Sequence, residues 1–265
     1  MVDLNTPTQP HLKLSITISF FIINYAAKTL HHTFMKDVLG AAVTDYFHED
    51  KPQKLWIHND YGPKEEMPID IYFRDENKMS TIELAALKYC TGKILDIGAC
   101  VGSHALALQA YGEDVTALEI SPKAAAIMRL RGVQNVVEAN FFDYQEKGFD
   151  TLLLMMNGIG LVSNIKGLFS FLEKAKTMLN VGGQIIFDSS DVSYLYDGSV
   201  PLAGDYFGEI RFQYEYKKQQ TDWFTWLFVD QGTLYHIANE AGWKAEFLME
   251  DENSQYLVRL TLKAS

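Results

Sequence analysis

Cysteine is nearly missing from this chain: Cys90 and Cys100 are the only two in 265 residues. They form no C-x-x-C pair and have no metal-type spacing, so a disulfide framework and a thiolate metal site are excluded. A reducing, cytoplasmic setting is the expectation. Arginine is scarce too, with five residues in a chain of formal net charge −11. An acidic chain repels a phosphate backbone, and its densest basic pair, Lys217-Lys218, falls in an expected turn, so nucleic acid is not an expected partner. No run reaches the roughly 18 apolar residues that a membrane helix needs, so no membrane span is expected. Internal repeats, low-complexity tracts and linkers are absent as well. What is present is a 48% hydrophobic composition, enough for one large core with or without an appended subdomain.

The first 34 residues stand apart. "LKLSITISFFIINYAAK", Leu12 to Lys28, reads as a weak signal peptide, as an extra strand or helix, or as sequence upstream of a start at Met35. Residues 35–92 form an expected N-terminal cap region. Within it Met35 to Phe47 carries a helical stripe, Ile69 to Phe73 suggests a strand, and Ser80 with Glu83 writes a capping box.

From Lys93 the pattern alternates. Short apolar strands at 93–97, 114–120, 136–137, 151–156 and 184–187 are separated by helices closed by Gly112, Gly132 and Gly182-Gly183. Strands without polar alternation, divided by helices, predict a parallel sheet covered on both faces. The fold class is therefore α/β, a doubly wound, mostly parallel seven-stranded sheet. Residues 93–265 form the main domain. A hairpin is inserted near 207–229, where Ile210, Phe212, Tyr214 and Tyr216 alternate with polar residues and a turn is expected near Gln219-Gln220. The group Trp223, Phe224, Trp226 and Phe228 is expected in the core rather than as an aromatic cage. A last helix and two more strands follow.

The chemistry concentrates in "LDIGACVGSHALAL", Leu95 to Leu108. A glycine turn between a first strand and its helix suits a nucleotide. The dinucleotide pattern G-x-G-x-x-G fails, because Cys100 and Ser103 occupy the second and third glycine positions. Asp96 would also oppose a pyrophosphate. A positively charged ligand reverses that sign, and glycines lacking Cβ admit its close approach.

"LDIGACVG" resembles the first motif of the class I S-adenosylmethionine-dependent methyltransferases, an acid-x-Gly-x-Gly-x-Gly pattern. Asp96, Gly98 and Gly102 match, and Cys100 replaces the middle glycine. The resemblance implies S-adenosylmethionine as cofactor, with Asp96 toward its ammonium and Gly98, Ala99, Cys100 and Gly102 lining the turn. It gives Glu119, with Ile120 beside it, the ribose hydroxyls. In "VVEANFFDY" it gives Asn140 the adenine amino group, with Asp143 as the competing assignment and Phe141 as a backbone or stacking contact. His104, in the first turn of the helix, reads as a packing or water-bonded histidine rather than a catalytic one. "LMMNGIGLV" follows the fourth strand, where the family faces the methyl group, and Asn157 and Gly158 are the candidates. Base N-methyltransferases carry Asn/Asp-Pro-Pro-aromatic here, and this chain lacks both prolines.

The acceptor belongs beyond the strand ends. "FDSSDVSYLY" supplies Asp188 and Asp191 as candidate general bases, with Ser190 and Tyr194 as substrate candidates. Arg74 is read either as a partner for a carboxylate or as a surface residue. A magnesium site from Asn157, Asp188 and Asp191 is conceivable from the residue types, but their order does not match the subfamily that has one, and no metal is expected. The function expected is methyl transfer to a small molecule. The alternatives are a cofactor-binding module without turnover and a nicotinamide-dependent oxidoreductase.

Overall fold

The computed structural model describes residues 36–49, 52–196 and 206–263; the 12–28 segment lies outside them. Helix α1, Val38–Phe47, is capped by Asp37, whose carboxylate accepts from the Gly40 N–H at 2.9 Å. Strands β1, Leu55–Asn59, and β2, Glu65–Met67, form a hairpin. Helix α2, Thr81–Tyr89, begins at a complete capping box: the Ser80 hydroxyl accepts from the Glu83 N–H, and the Glu83 carboxylate accepts from the Ser80 N–H.

Alternation follows: β3 Lys93–Ile97, α3 Ser103–Ala110, β4 Asp114–Glu119, α4 Pro122–Arg131, β5 Asn135–Glu138, β6 Phe149–Leu154, α5 Ile165–Met178 and β7 Leu179–Ser190. The chain ends with β8 Glu209–Tyr216, β9 Gln219–Gln220, β10 Phe224–Leu227, α6 Gln231–Glu240, β11 Trp243–Glu250 and β12 Gln255–Leu262.

Seven strands make the main sheet in the order β11-β12-β7-β6-β3-β4-β5. The five from β7 to β5 are parallel, and β12 and β11 are antiparallel. One face packs on α5 and α6 through Leu152, Phe171, Leu172, Ile185 and Trp243. The other packs on α2, α3 and α4 through Leu87, Ile94, Leu108, Met128 and Leu153. The chain runs outward from β3 to β5 and returns to β6 on the other side of β3, so the topological switch lies between β3 and β6. The crevice for a ligand opens beyond their carboxyl ends.

A second, antiparallel sheet joins parts of the chain far apart in sequence. Its order is β10-β8-β1-β2, with β9 paired to β8. Trp56 to Asn59 lie opposite Glu215 to Phe212, so the cap region and the hairpin share one sheet.

Three local readings are corrected. Ile69–Phe73 is a 3-10 helix, not a strand. Its carbonyls find side-chain donors instead of a ladder: Ser103 Oγ and Arg131 Nη1 reach Tyr72 O at 2.6 and 3.5 Å, and Arg131 Nη2 reaches Phe73 O at 3.4 Å. The hairpin turns at Lys217-Lys218, the pair expected in a turn, with both at positive φ (46° and 64°), whereas Gln219-Gln220, where the turn was also expected, are strand β9. Such two-residue turns match strand twist and usually advertise themselves with Asn or Gly; here Lys217 is held by Asp45 at 2.7 Å. The four hairpin aromatics expected in the core are not fully buried, and Trp223 is 43% exposed under the Arg211 guanidinium.

Candidate functional site

Strand β3 delivers the glycine turn to the switch point. Gly98 and Gly102 are both left-handed, at φ 72° and 80°. A Cβ on Gly102 would also lie 2.7 Å from Val133, so the start of α3 can sit this close to its neighbour only with glycine there. Cys100 takes φ 48° despite its side chain. Its N–H donates to Glu119 Oε2 at 2.8 Å, which ties the turn to the end of β4. Glu119 Oε1 accepts from the Ser121 N–H at 2.8 Å. Burial pushes the Glu119 pKa up against these bonds, and each oxygen retains accepting capacity. Beside it, Ile120 is 51% exposed.

Beneath the turn lies a buried charged layer. Asp96 is 2% exposed and Asp188, on β7, is wholly buried. Register places them on one face of the sheet, with Asp96 opposite Leu153, Leu153 opposite Ile186, and Asp188 two residues beyond Ile186. Asp96 Oδ2 and Asp188 Oδ1 have no hydrogen-bond partner among the described residues. Burial pushes both carboxyls up to about 6, against the charge of His104 near each. His104, on α3, gives or takes a hydrogen bond with Glu83 Oε1 at 3.0 Å. Burial alone would lower its pKa, but Glu83, Asp96 and Asp188 outweigh burial and raise it. Arg74 Nη2 donates to the same Glu83 oxygen at 2.9 Å. Glu83 falls to about 2: burial would raise it, and His104, the Ser80 N–H and Arg74 prevail. Three carboxylates therefore face two cationic groups, and both cations are committed to Glu83. An ionised buried carboxylate without a partner is costly, so the layer is electrostatically suited to a positive ligand.

The segment after β6 is strained. Met156 and Asn157 are consecutive left-handed residues, at φ 61° and 54°, so β6 stops at Leu154 rather than running to Met156. Three bonds hold the bend. The Asn157 N–H donates to Asp188 Oδ2 at 2.9 Å, Ser190 Oγ donates to Asn157 Oδ1 at 3.3 Å, and Trp226 Nε1 donates to Asn157 O at 2.9 Å. Gly160 makes room for that indole; a Cβ there would fall within it. Trp226→Phe keeps an aromatic ring, a smaller one, and leaves the Asn157 carbonyl without its donor. We expect a loss of about 1–3 kcal/mol in urea unfolding; an unchanged midpoint would remove Trp226 from the clamp.

The remaining candidates scatter. Asp188 is held by Asn157 and by Gln255 Nε2 at 2.6 Å, whereas Asp191 caps a turn by accepting from the Ser193 N–H at 2.8 Å. Tyr194 is 69% exposed. Phe141 is buried on Phe171, so its ring is core rather than a stacking face; Phe142 beside it is the more exposed of the two. Asn140 Oδ1 already accepts from the Phe142 N–H at 2.8 Å, and Asp143 is exposed. Ala99 is buried. No cluster of three or more His, Cys, Asp or Glu residues suited to a metal occurs among the described residues.

Gln255 escapes the sequence reading. Glu83 was read only as the capping-box acid and Trp226 only as one of the hairpin aromatics, and those roles hide the ion pairs of the first and the bond of the second to Asn157.

A doubly wound sheet with an acid-bearing glycine turn at its switch point defines an α/β enzyme that binds a nucleoside-type cofactor. A methyltransferase-domain family model matches residues 95–187. A solved S-adenosylmethionine-dependent methyltransferase from Bacteroides fragilis, in complex with S-adenosyl-L-homocysteine, is 41% identical, covers 86% of this chain and 96% of that one, and superposes with a TM-score of 0.81. The CcbJ methyltransferase from Streptomyces caelestis shares the fold at 13% identity, with 69% and 89% of the two chains covered and a TM-score of 0.53. A S-adenosylmethionine-dependent methyltransferase from Clostridium acetobutylicum does so at 11% identity, 72% and 93% coverage and a TM-score of 0.53. No curated protein matches the chain. The chain belongs to the S-adenosylmethionine-dependent methyltransferase family.

Proposed function

We propose that this protein transfers a methyl group from S-adenosylmethionine to a small-molecule acceptor. The observation that carries the cofactor's placement is the unpartnered oxygen of buried Asp96 at the mouth of the glycine turn. In this reading Asp96 receives the cofactor's ammonium, directly or through water. Gly98, Ala99, Cys100 and Gly102 line its path, and Glu119 accepts from the ribose hydroxyls with its remaining lone pairs. Exposed Ile120 packs on the adenine, and Asn140, with Asp143 still as alternative, lies at its edge. Asn157 lines the methyl end, with Ser190 and Tyr194 toward the acceptor.

S-adenosylmethionine supplies an electrophilic methyl on a sulfonium. The protein's own work is to hold the acceptor in line and to keep water away, which carries much of the acceleration in such displacements. Asp188 rather than Asp191 is the candidate to take a proton, because Asp191 is committed to its turn. Arg74 acts through Glu83 rather than on a substrate carboxylate. Acidity supports an acceptor other than nucleic acid, and two free cysteines support a reducing, cytoplasmic setting. Among the described residues no helix is long and apolar enough to cross a membrane.

Calorimetry with S-adenosylmethionine across pH tests the assignment. The Asp96 carboxyl sits at about 6 without ligand, and a cation favours its ionised form. Binding then releases a proton, and affinity rises roughly tenfold from pH 5 to pH 7. A flat profile without proton release would remove Asp96 from the site; failure to bind at either pH would end the reading.

A further inference from the structure

The inner face of the second sheet is aromatic and carries no lysine or arginine among the described residues. Register puts Ile57, Asn59, Ile210, Phe212, Tyr214, Phe224 and Trp226 on that face. Trp226 reaches the Asn157 turn. At the other end Tyr214 lies near Tyr72 and Cys100 of the glycine turn. The face therefore roofs the cleft from cofactor turn to methyl-facing turn. Phe224 lies between, its ring centre 5.2 Å from that of Tyr214 and 6.3 Å from that of Trp226. Tyr214, Phe224 and Trp226 are each half-buried, so none of the three is consumed by the core.

An acid lies behind the Asn157 turn that Trp226 reaches. Asp188 is wholly buried, one oxygen is bound by Asn157 and Gln255, and the other has no partner among the described residues. The nearby cations are spoken for. Arg74 and His104 pair with Glu83, and Arg211 and Lys64 lie over Trp223 and Trp56 at the margin and on the outer face of the sheet. Among the described residues an anionic acceptor would meet no uncommitted cation here. A cationic one would meet aromatic faces above, which attract cations through the ring quadrupole, and an unpaired carboxylate below.

We propose that the acceptor site between Phe224, Trp226 and Asp188 takes a small molecule bearing an amine, held as its ammonium and methylated on that nitrogen. This deepens the methyltransferase reading and rests on it. The balance is simple. The ammonium gives its proton to Asp188, and the freed nitrogen lone pair forms the bond to the methyl carbon. The carbon–sulfur bond breaks with its pair left on sulfur, which becomes neutral as the nitrogen becomes positive. The proton on Asp188 then passes to solvent.

The test uses three probes of one shape and different charge: benzylamine, benzyl alcohol and benzoate. Each is titrated into the full chain saturated with S-adenosyl-L-homocysteine, whose own binding is measured first. Benzylamine is expected to bind at least tenfold more tightly than benzyl alcohol, with benzoate weakest. Asp188→Asn should bring benzylamine to the level of benzyl alcohol, and Phe224→Leu should weaken it threefold or more. Both variants should hold S-adenosyl-L-homocysteine within threefold of the parent. Benzyl alcohol or benzoate binding as tightly as benzylamine, or no probe binding a chain that holds S-adenosyl-L-homocysteine, would overturn the amine assignment alone. A chain that fails to bind S-adenosyl-L-homocysteine would sink the methyltransferase reading, and this one with it. Should Asp188→Asn fail to fold, Phe224→Leu decides: unchanged benzylamine affinity refutes the site.

Discussion

Asp96→Asn is expected to weaken S-adenosylmethionine binding roughly thirtyfold to a thousandfold, the span of about 2–4 kcal/mol that follows from removing one partner of a desolvated charge pair. The same substitution should stabilise the ligand-free protein. Burial lifts the Asp96 carboxyl from 3.8 to about 6. A raised pKa means that the folded chain holds this proton more tightly than the unfolded chain does. The cost of ionising it in the fold is therefore absent below about pH 4, grows between 4 and 6, and is complete above 6. Two units correspond to about 3 kcal/mol, part of which the new amide gives back because its N–H₂ needs partners. Urea unfolding at pH 8 should show Asp96→Asn more stable by about 1–3 kcal/mol, and at pH 4 that gain should be gone, leaving the variant no more stable than the parent. Calorimetry supplies the other half. Unchanged affinity with unchanged stability would mean that Asp96 neither meets the cofactor nor suffers its burial.

That pairing of gain and loss separates a ligand-binding acid from a structural one. A structural acid in the core is fully bonded, and removing it destabilises the fold. An acid kept short of partners is tolerated for what arrives later. Asp96 was legible for this reason: a carboxylate two residues before the first glycine of a strand-to-helix turn is an anomaly on the line of sequence itself. The parallel strands were legible too, because a buried strand and a covering helix each write their own local period.

The second sheet was not. Residues 209–216 announce a half-buried strand by alternation, but β1, their partner, lies some 150 residues earlier, and periodicity carries no address. So the cap region and the hairpin read as separate appendages until the register between Trp56 and Glu215 joins them. Two further features have no local signature. Met156 takes a left-handed conformation that its residue type does not predict, next to Asn157, which tolerates one, and the pair is held by bonds from Asp188, Ser190 and Trp226. Ile69–Phe73 has the composition of a strand, and the donors from Ser103, Arg131 and Arg74 that satisfy its carbonyls in a 3-10 turn lie outside it in sequence.

Glu83 sets the second large expectation, because it is the acid that behaves oppositely to Asp96. Its Oε1 holds both Arg74 and His104, and its Oε2 accepts from the Ser80 N–H at 2.8 Å. Its pKa falls from 4.5 to about 2. A lowered carboxyl contributes stability that is fully present above about pH 4.5 and is lost as the pH drops toward 2. Glu83→Ala removes the acid and strands its partners. His104 is buried and Arg74 largely so, and burial without Glu83 pulls His104 toward its neutral form. Breaking a buried pair from one side costs about 3–5 kcal/mol, so urea unfolding at pH 7 should register a loss of that size. Glu83→Gln, which keeps one acceptor and the shape of the capping box, should lose about half as much. The deficit of both variants should shrink as the pH falls below 4.5, because the parent then loses what they already lack. A second consequence reaches the cofactor. Without Glu83, the His104 charge no longer faces Asp96, so Asp96 should bind its proton still more tightly, and the rise of S-adenosylmethionine affinity with pH should move upward. A Glu83→Ala protein within about 1 kcal/mol of the parent, with that rise unmoved, would show that the buried layer is not one connected network.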